Sequence, residues 1–448
     1  MIKHYQKIAI LVLSLSLTGL LEKSSSTESY VNQSFQGWFL NLIQDEGRQP
    51  LQQEIETANI YNFFTQNTNN SLEPCEPKTS EPNFLVIGGG ATPESNEIAL
   101  EKNILYFQRT LKNMGFNSPS TNIFFANGNN GEASIRYINS QGQQQFKVPK
   151  IPGLNGSANL ENINQWIDNI NQNKTTKKPI FLYFTGHGIL NKRNSDNNAL
   201  MLWNNTPVTV EKLSNTLDRL PQDSHIVTMM AQCFSGSFAN YIYQNGNPNQ
   251  PLTQQTRCGF FATIKTLPSV GCTPEVNEAD YKDYSSSFFA GLSGVNRIGQ
   301  TVASADYDKD GRISYSEAHA FAKIDEKTSD LPVSTSEVWL QQRASKSDIE
   351  QLFDIPIMEL EKNARPQQKY VINSLVNMFQ LDLNKSYGEN LETLQSDQVA
   401  TDAQKAYKIR LLMELLNIQM EQKVRKENNQ TDITILERLI ECESSSWK

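Results

Sequence analysis

The chain has 448 residues, which is enough for two or three domains of typical size. Hydrophobic residues make up 38% and charged residues 20% of it, as is typical of a globular protein rather than a disordered one. The net charge of -8 gives no reason to expect nucleic acid as a partner. No internal stretch is long and apolar enough to span a bilayer, so we expect no stable membrane span.

The first predicted element is a targeting segment. Basic "MIKHYQK" precedes an apolar run at residues 8–21, which is the layout of a secretory signal and is short for a spanning helix. We therefore predict a signal peptide at residues 1–23 and a secreted or periplasmic protein. An uncleaved anchor and a chance hydrophobic N-terminus are the alternatives.

The next segment, residues 24–81, is predicted to be partly helical and to end in a polar, proline-rich linker. Short apolar strands then alternate with helical patterns, and this alternation predicts an α/β fold with a mostly parallel sheet and helices on both faces. From about residue 336 the patterns become helical, which predicts a C-terminal helical domain at 344–448. The predicted strands lie at residues 84–90, 122–126, 179–184, 225–230 and 259–264.

Five cysteines in an exported chain leave one thiol unpaired. Cys258 and Cys272 can close a short loop, Cys75 and Cys442 can tie the two ends together, and Cys233 is then the unpaired thiol. The alternative is that all five are reduced and buried.

Two consecutive strand–helix units each end in a chemically reactive residue. "IFLYFTGHG" ends in His187 between two glycines, and "IVTMMAQCFSG" carries Cys233 at the start of a predicted helix, whose dipole should lower the pKa of the thiol. Neighbouring parallel strands would place both side chains on one edge of the sheet, as a thiol nucleophile with an imidazole proton shuttle requires. The backbone N–H groups of Gly188 and Cys233 are candidates for stabilising an oxyanion. The alternative is a turn histidine and a buried, inert cysteine.

The motifs "YFTGHG" and "CFSGS" resemble those of the legumain-like (C13) cysteine peptidases, in the clan that also holds caspases and metacaspases. "LMLWNNTPVTVEKLSNTL" is similar to the hairpin and helix of that family, and "FFATIKTLPSVGC" to the strand and loop that line its specificity pocket. The resemblance covers roughly residues 82–300. It implies a caspase-like catalytic domain at 82–343, with Cys233 as nucleophile and His187 as general acid and base. It also implies cleavage of a peptide or protein substrate after one chosen residue.

The specificity pocket departs from the family pattern. Legumains carry an acidic residue two positions before the nucleophile, where this chain has Ala231, and serines stand where a second pocket acid is expected. Ser269 remains as a pocket hydroxyl. We therefore expect a small or neutral polar residue before the cleaved bond rather than Arg or Lys, which need a buried carboxylate partner.

A calcium-loop motif follows the catalytic motifs. "DYDKDGRISYSE" at residues 306–317 matches the template D-x-D-x-D-G-x-I-x-x-x-E at every diagnostic position. We predict a structural Ca²⁺ site, and the alternative is an acidic turn that caps the following helix. The predicted ligands are the side chains of Asp306, Asp308, Asp310 and Glu317 and the carbonyl of Arg312.

The sequence thus predicts a secreted cysteine endopeptidase that works through a Cys–His dyad and an acyl-enzyme. A transpeptidase would use the same dyad and resolve the acyl-enzyme with an amine. A calcium-binding interaction protein on a caspase-like fold is the alternative outside enzyme chemistry. The C-terminal helices stand where legumains carry an inhibitory segment, so an intramolecular cap over the site is a further hypothesis, and a purely stabilising role is its alternative.

Overall fold

The structure, a computed structural model, describes Phe39 and residues 81–117, 120–172, 178–395 and 400–447. The predicted signal peptide at 1–23, nearly all of the predicted segment at 24–81, and Cys75 lie outside the described residues.

Seven strands form a central sheet in the order β12-β11-β10-β6-β1-β2-β5. All neighbours are parallel except β12, which runs antiparallel to β11. The prediction of an α/β fold with a mostly parallel sheet is therefore confirmed, and each predicted strand is present. The strands are β1 (Asn83–Gly89), β2 (Thr121–Phe125), β3 (Ile135–Ile138), β4 (Gln144–Lys147), β5 (Leu154–Gly156), β6 (Ile180–Gly186), β7 (Gly188–Ile189), β8 (Ala199–Leu202), β9 (Thr206–Thr209), β10 (His225–Ala231), β11 (Thr256–Phe261) and β12 (Val333–Ser334).

Helices cover both faces of the sheet. On one face α1, α4 and α5 bury their apolar residues, and on the other α2, α3, α9 and α11 do so. The helices are α1 (Ile98–Asn113), α2 (Leu160–Gln172), α3 (Val210–Leu217), α4 (Tyr284–Ser293), α5 (Tyr315–Asp325), α6 (Thr335–Gln341), α7 (Lys346–Leu352), α8 (Ile357–Lys362), α9 (Pro366–Phe379), α10 (Leu391–Gln395), α11 (Asp402–Glu427) and α12 (Gln430–Glu443). The predicted C-terminal helical region is present as α7 to α12.

The central strands are mostly apolar because both of their faces are covered. In β1, Phe84 and Val86 point into one core while Leu85 and Ile87 point into the other, and none is more than 2% exposed. Successive side chains of a strand alternate between its faces, so two cores require an uninterrupted apolar run.

The C-terminal helices are built into this body. The fully buried guanidinium of Arg410, on α11, donates hydrogen bonds to the backbone carbonyls of Lys323 and Asp330 at 2.7 Å each. Trp447 lies 1% exposed among aromatic rings, with its ring centroid 5.0 Å from that of Phe181 and 5.2 Å from that of Phe84. The chain end therefore packs against the central strands themselves.

The cysteine pairing predicted from the sequence is wrong. Cys258 of β11 is bonded to Cys442 of α12, across 184 residues of chain, and Cys272 is free and exposed. Cys258 is fully buried and Cys442 is 1% exposed. The packing of α12 along β11 brings these two sulfurs together, and sequence spacing alone does not reveal such a contact.

Among the described residues, no helix combines the length and the apolar character that crossing a membrane requires.

The connections create a crevice at the carboxyl ends of β1 and β6. From β1 the chain moves outward to β2 on one side, and it later returns to place β6 on the other side of β1. Ligands of open α/β sheets bind where the strand order reverses in this way. The loops that follow β1, β6, β10 and β11 all begin at this edge.

Candidate active site

The two predicted catalytic residues lie at neighbouring strand ends. β6 and β10 pair in register, with Thr185 opposite Ala231. His187 and Cys233 each lie two residues after this pair. Their main chains touch, because a Cβ atom built on Gly188 would lie 1.9 Å from the carbonyl oxygen of Cys233. Only glycine fits at that position, and this contact explains the glycine after the histidine. It also brings together the two backbone segments predicted to form the oxyanion hole.

The imidazole of His187 is oriented by the turn that follows β1. Its Nε2 atom lies 2.7 Å from the carbonyl oxygen of Ser95 and 3.0 Å from Oε2 of Glu97. The other oxygen of Glu97 accepts a hydrogen bond from Arg136 at 2.6 Å. Burial acts to raise the pKa of Glu97, but the hydrogen bond and charge of His187 outweigh it and hold the pKa below its usual value.

Sequence analysis missed Glu97. It lies ninety residues before the histidine, and its role depends on a contact across the crevice. One available signal was its position on the segment that follows the glycine-rich end of β1, at the same edge as the two residues that were identified.

A second free thiol lies beside the histidine. One ligand atom each from Glu97, His187 and Cys272 lie within 4.8 Å of one another, and Cys272 is exposed. The charge of Cys272, against the opposing effect of burial, raises the pKa of His187 to about 12, and hydrogen bonds with Cys272 and Glu97 add to the shift. This shift favours the protonated form of the imidazole. Cys272 had been assigned to a disulfide, so its place at the site is a finding of the structure.

The sulfur of Cys233 lies against the loop that follows β11. It accepts a hydrogen bond from the backbone N–H of Ser269 at 3.3 Å and lies 3.5 Å from the carbonyl oxygen of Ser269. Burial, followed by the charge of Cys272, raises the pKa of Cys233 to about 11. The predicted lowering of this pKa is wrong, because desolvation outweighs the helix terminus. The segment after it, Ser235–Ile242, is a 3-10 helix whose preceding residue has a left-handed φ of 59°.

The predicted pocket residues occupy the same edge. Ala231 ends β10 and is half-buried. The hydroxyl of Ser269 donates a 2.5 Å hydrogen bond to the carboxylate of Asp330, which also accepts from the N–H of Val270 at 3.1 Å. Asp330 is fully buried, and burial raises its pKa to about 7 although the hydrogen bond from Ser269 opposes this. The serine hydroxyl is thus engaged with a buried acid that sequence analysis did not identify.

A buried charged pair borders the loop that carries Cys272. A Cβ atom on Gly271 would lie 2.7 Å from Cβ of Asp283, whose carboxylate is 3.9 Å from Nη1 of Arg297. Arg297 donates to Asn103 at 2.5 Å, and Asn103 donates to the hydroxyl of Thr185 on β6 at 3.1 Å. An acid, Asp283, is therefore present close to the serines at 285–287, but its carboxylate lies next to the guanidinium of Arg297.

The loop at 306–317 has the internal hydrogen bonds of a compact acidic turn. The carboxylate of Asp306 accepts from the N–H of Gly311 at 3.1 Å, and that of Asp308 accepts from the N–H of Asp310 at 3.0 Å. Glu317 accepts from the N–H of Tyr307 at 2.7 Å, which folds the last residue of the motif back to its beginning.

The predicted ligands converge in part. Oxygen atoms of Asp306, Asp308 and Glu317 lie within 4.8 Å of one another, and the buried Oδ1 of Asp306 has no hydrogen-bond partner. Asp310 instead accepts a hydrogen bond from the guanidinium of Arg312 at 2.9 Å. Three converging carboxylates with an unpartnered oxygen fit a hard divalent cation, which needs several oxygen ligands.

No family model matches the chain, and no curated protein matches it either. The resemblance to legumain-like peptidases consequently rests on the sequence motifs alone.

Proposed function

We propose that this protein is a cysteine endopeptidase of the legumain-like type, with Cys233 as nucleophile and His187 as proton shuttle. The observation that carries the proposal is the register of β6 and β10, which places the two residues at adjacent strand ends, with the backbone of Gly188, next to His187, against that of Cys233. A thiol and an imidazole at one crevice are the two groups that acyl transfer through sulfur requires.

The reaction divides between these groups as follows. The thiol of Cys233 first loses its proton to bulk water, and the resulting thiolate attacks the scissile carbonyl; the high pKa of this thiol means that little thiolate is present at rest. His187 donates a proton to the departing amine and then accepts one from the water that releases the acyl group. The N–H groups of Gly188 and Cys233 are proposed to bind the oxyanion.

Cys272 is the alternative nucleophile, and a specific observation favours considering it. Its charge is the main cause of the high pKa of His187, and it is exposed whereas Cys233 is half-buried. An exposed thiol beside an imidazole is a reactive arrangement. The experiment must therefore separate the two thiols.

The test compares Cys233→Ala, His187→Ala and Cys272→Ser on a library of fluorogenic peptides. We expect the first two variants to lose several orders of magnitude in kcat/KM. Cys272→Ser should retain turnover that Cys233→Ala lacks. Circular dichroism checks that each variant is folded. If Cys272→Ser loses turnover while Cys233→Ala keeps it, the nucleophile is Cys272. Full activity of His187→Ala would overturn the dyad.

A transpeptidase would use the same acyl-enzyme. Adding a peptide amine to the assay and analysing products by mass spectrometry separates the two outcomes. Ligated product that exceeds hydrolysis would assign the site to transfer rather than cleavage.

We further propose that the loop at 306–317 binds Ca²⁺ in a structural role and that the protein is exported. The three converging carboxylates and the unpartnered oxygen of Asp306 support the first proposal. The disulfide between Cys258 and Cys442 supports the second, because such bonds persist in oxidising compartments. If calcium binds and Cys233→Ala leaves every measured activity unchanged, the interaction-protein alternative is favoured.

A further inference from the structure

We propose that Glu97, His187 and Cys272 form a zinc-binding site whose occupation blocks the proposed peptidase. The three residues come from the loops after β1, β6 and β11, and one ligand atom of each lies within 4.8 Å of those of the other two. Carboxylate, imidazole and thiolate are the three protein ligand types that Zn²⁺ takes.

The spacing of the ligand atoms is close to that of a metal site. Nε2 of His187 and Oε2 of Glu97 are 3.0 Å apart, and two such atoms on a tetrahedral zinc lie about 3.4 Å apart. An ion at Nε2 replaces the ring hydrogen there and so also displaces the present contact of Nε2 with the carbonyl oxygen of Ser95, at 2.7 Å. The sulfur of Cys272 lies within 4.8 Å of the other two ligand atoms, about one ångström farther than two ligands of one zinc ion lie apart. Cys272 is exposed, and the residue before it, Gly271, has a φ of 125°.

Groups around the ligands hold two of them in place. The second oxygen of Glu97 is bonded to Arg136 at 2.6 Å, and the carbonyl oxygen of His187 accepts from the N–H of Met201 at 2.9 Å. Such partners orient a metal ligand and strengthen its hold on the ion. The exposed side of Cys272 leaves room for water as a fourth ligand, and binding displaces the protons of the thiol and the imidazole into solvent.

The site differs in chemistry from the acidic loop. Asp306, Asp308 and Glu317 supply oxygen atoms alone, which suit Ca²⁺, whereas a thiolate and an imidazole select a softer ion. Saturating calcium therefore leaves the Glu97–His187–Cys272 site open to zinc. Zinc there takes the electron pair of the imidazole, so His187 can no longer donate a proton to the departing amine or accept one from water. This inhibition rests on the proposed function, but zinc binding does not.

The binding experiment titrates the full chain with Zn²⁺ in excess calcium by equilibrium dialysis, with Co²⁺ as a spectroscopic probe of thiolate ligation. We expect one high-affinity zinc per chain, and an affinity loss of at least about 10-fold in Cys272→Ser and Glu97→Gln. Cys233→Ala is the matched control and should bind as the unaltered chain does. Absence of binding, equal affinity in Cys272→Ser, or loss of binding in Cys233→Ala would each overturn this set of ligands.

The inhibition experiment measures peptide hydrolysis against free zinc, with each variant compared with its own metal-free rate. The unaltered chain should lose its activity at the zinc concentration that saturates binding, and Cys272→Ser should need at least about 10-fold more. Saturated binding with an unchanged rate overturns the inhibitory role. If zinc binds but neither the unaltered chain nor any variant hydrolyses peptides, the zinc site is supported and the peptidase is refuted. If peptides are hydrolysed but zinc does not bind, the peptidase is supported and the zinc site is refuted.

Discussion

At the scale of single residues, the site depends on how Glu97 holds His187. The carboxylate contacts one ring nitrogen, is anchored by Arg136, and has only 7% of its side chain exposed. It touches neither a reacting bond nor Cys233, so its proposed role is to position the imidazole and to favour its protonated form. A group of this kind changes the pH dependence of a reaction as well as its rate.

We expect Glu97→Gln to lower kcat/KM and to move the alkaline limb of the pH–rate profile toward lower pH. The pKa of His187 is raised to about 12 by the charge of Cys272 first and by Glu97 in addition, so neutralising the carboxylate lowers it. Kinetics extended from neutral pH to pH 12 measure the shift. Glu94→Gln, an exposed acid on the same turn, is the control and should leave the profile in place. An unchanged alkaline limb in Glu97→Gln would show that the carboxylate does not affect the pKa of His187.

At the scale of structural elements, the loop after β11 is held in place by a buried acid. Asp330 fixes the hydroxyl of Ser269 and the N–H of Val270, and the N–H of Ser269 in turn contacts the sulfur of Cys233. The carbonyl of Asp330 accepts a hydrogen bond from Arg410 on α11. A continuous chain of contacts therefore joins a C-terminal helix to the proposed nucleophile.

The titration of Asp330 should make the protein less stable as pH rises. Burial raises the pKa of this carboxyl from its usual 3.8 to about 7, so the folded chain binds the proton more tightly than the unfolded chain. Its stabilising effect is complete below pH 4 and is lost as pH rises through about 7, on the order of 4 kcal/mol for the full shift. Urea unfolding at pH 5 and pH 8 should show this loss in the unaltered chain and a smaller one in Asp330→Asn. The exposed Asp354→Asn serves as control, and equal pH slopes in both variants would contradict the assignment.

Calcium should raise the melting temperature through the loop at 306–317. A ligand that binds only the folded state stabilises it by RT ln(1 + [L]/Kd), about 2.7 kcal/mol at a hundredfold excess over Kd. Asp308→Ala combined with Glu317→Gln should remove the effect, and the exposed Glu350→Gln should not. Thermal scans with calcium and with chelator provide the measurement. Identical scans for the unaltered chain would refute the site.

At the scale of the whole molecule, the C-terminal helices are part of the folded body. Arg410, Cys442 and Trp447 are each at most 2% exposed, and their contacts reach α5, β11 and β1. These contacts favour the stabilising role over a removable cap. Deletion of residues 344–448 should therefore abolish folding rather than accelerate hydrolysis, as solubility and circular dichroism would show. A folded truncation with a higher rate would restore the cap hypothesis.

The disulfide should contribute measurably to stability. Replacing both Cys258 and Cys442 by Ala should cost about 2–5 kcal/mol, because the bond closes a loop of 184 residues in the unfolded chain. Urea unfolding measures the difference. Reductant should destabilise the unaltered chain by a similar amount and leave the double variant unaffected. A reductant effect of equal size in both would point to another thiol.

The sheet and the two strand-end residues were predictable because their signals are local. A continuous apolar run marks a strand covered on both faces, and a histidine between two glycines, or a cysteine shortly before a Ser-Gly turn, marks its end. Glu97, Asp330 and the bond between Cys258 and Cys442 were not predictable in the same way. Each depends on a partner that is 61 to 184 residues away, and such contacts exist only once the loops have met at one edge of the sheet.

The bond between Cys258 and Cys442 also governs what a protease could do to this chain. A cut anywhere between the two cysteines leaves both fragments covalently joined, since β11 and α12 remain bonded across it. Nicking in that interval would be invisible on a gel run without reductant and would appear as two bands with it. A single proteolytic cut between residues 258 and 442 would therefore loosen the local structure but would release no fragment. A cut between residues 233 and 258, by contrast, would separate the part of the chain that carries His187 and Cys233 from the remainder, but only if noncovalent packing also failed.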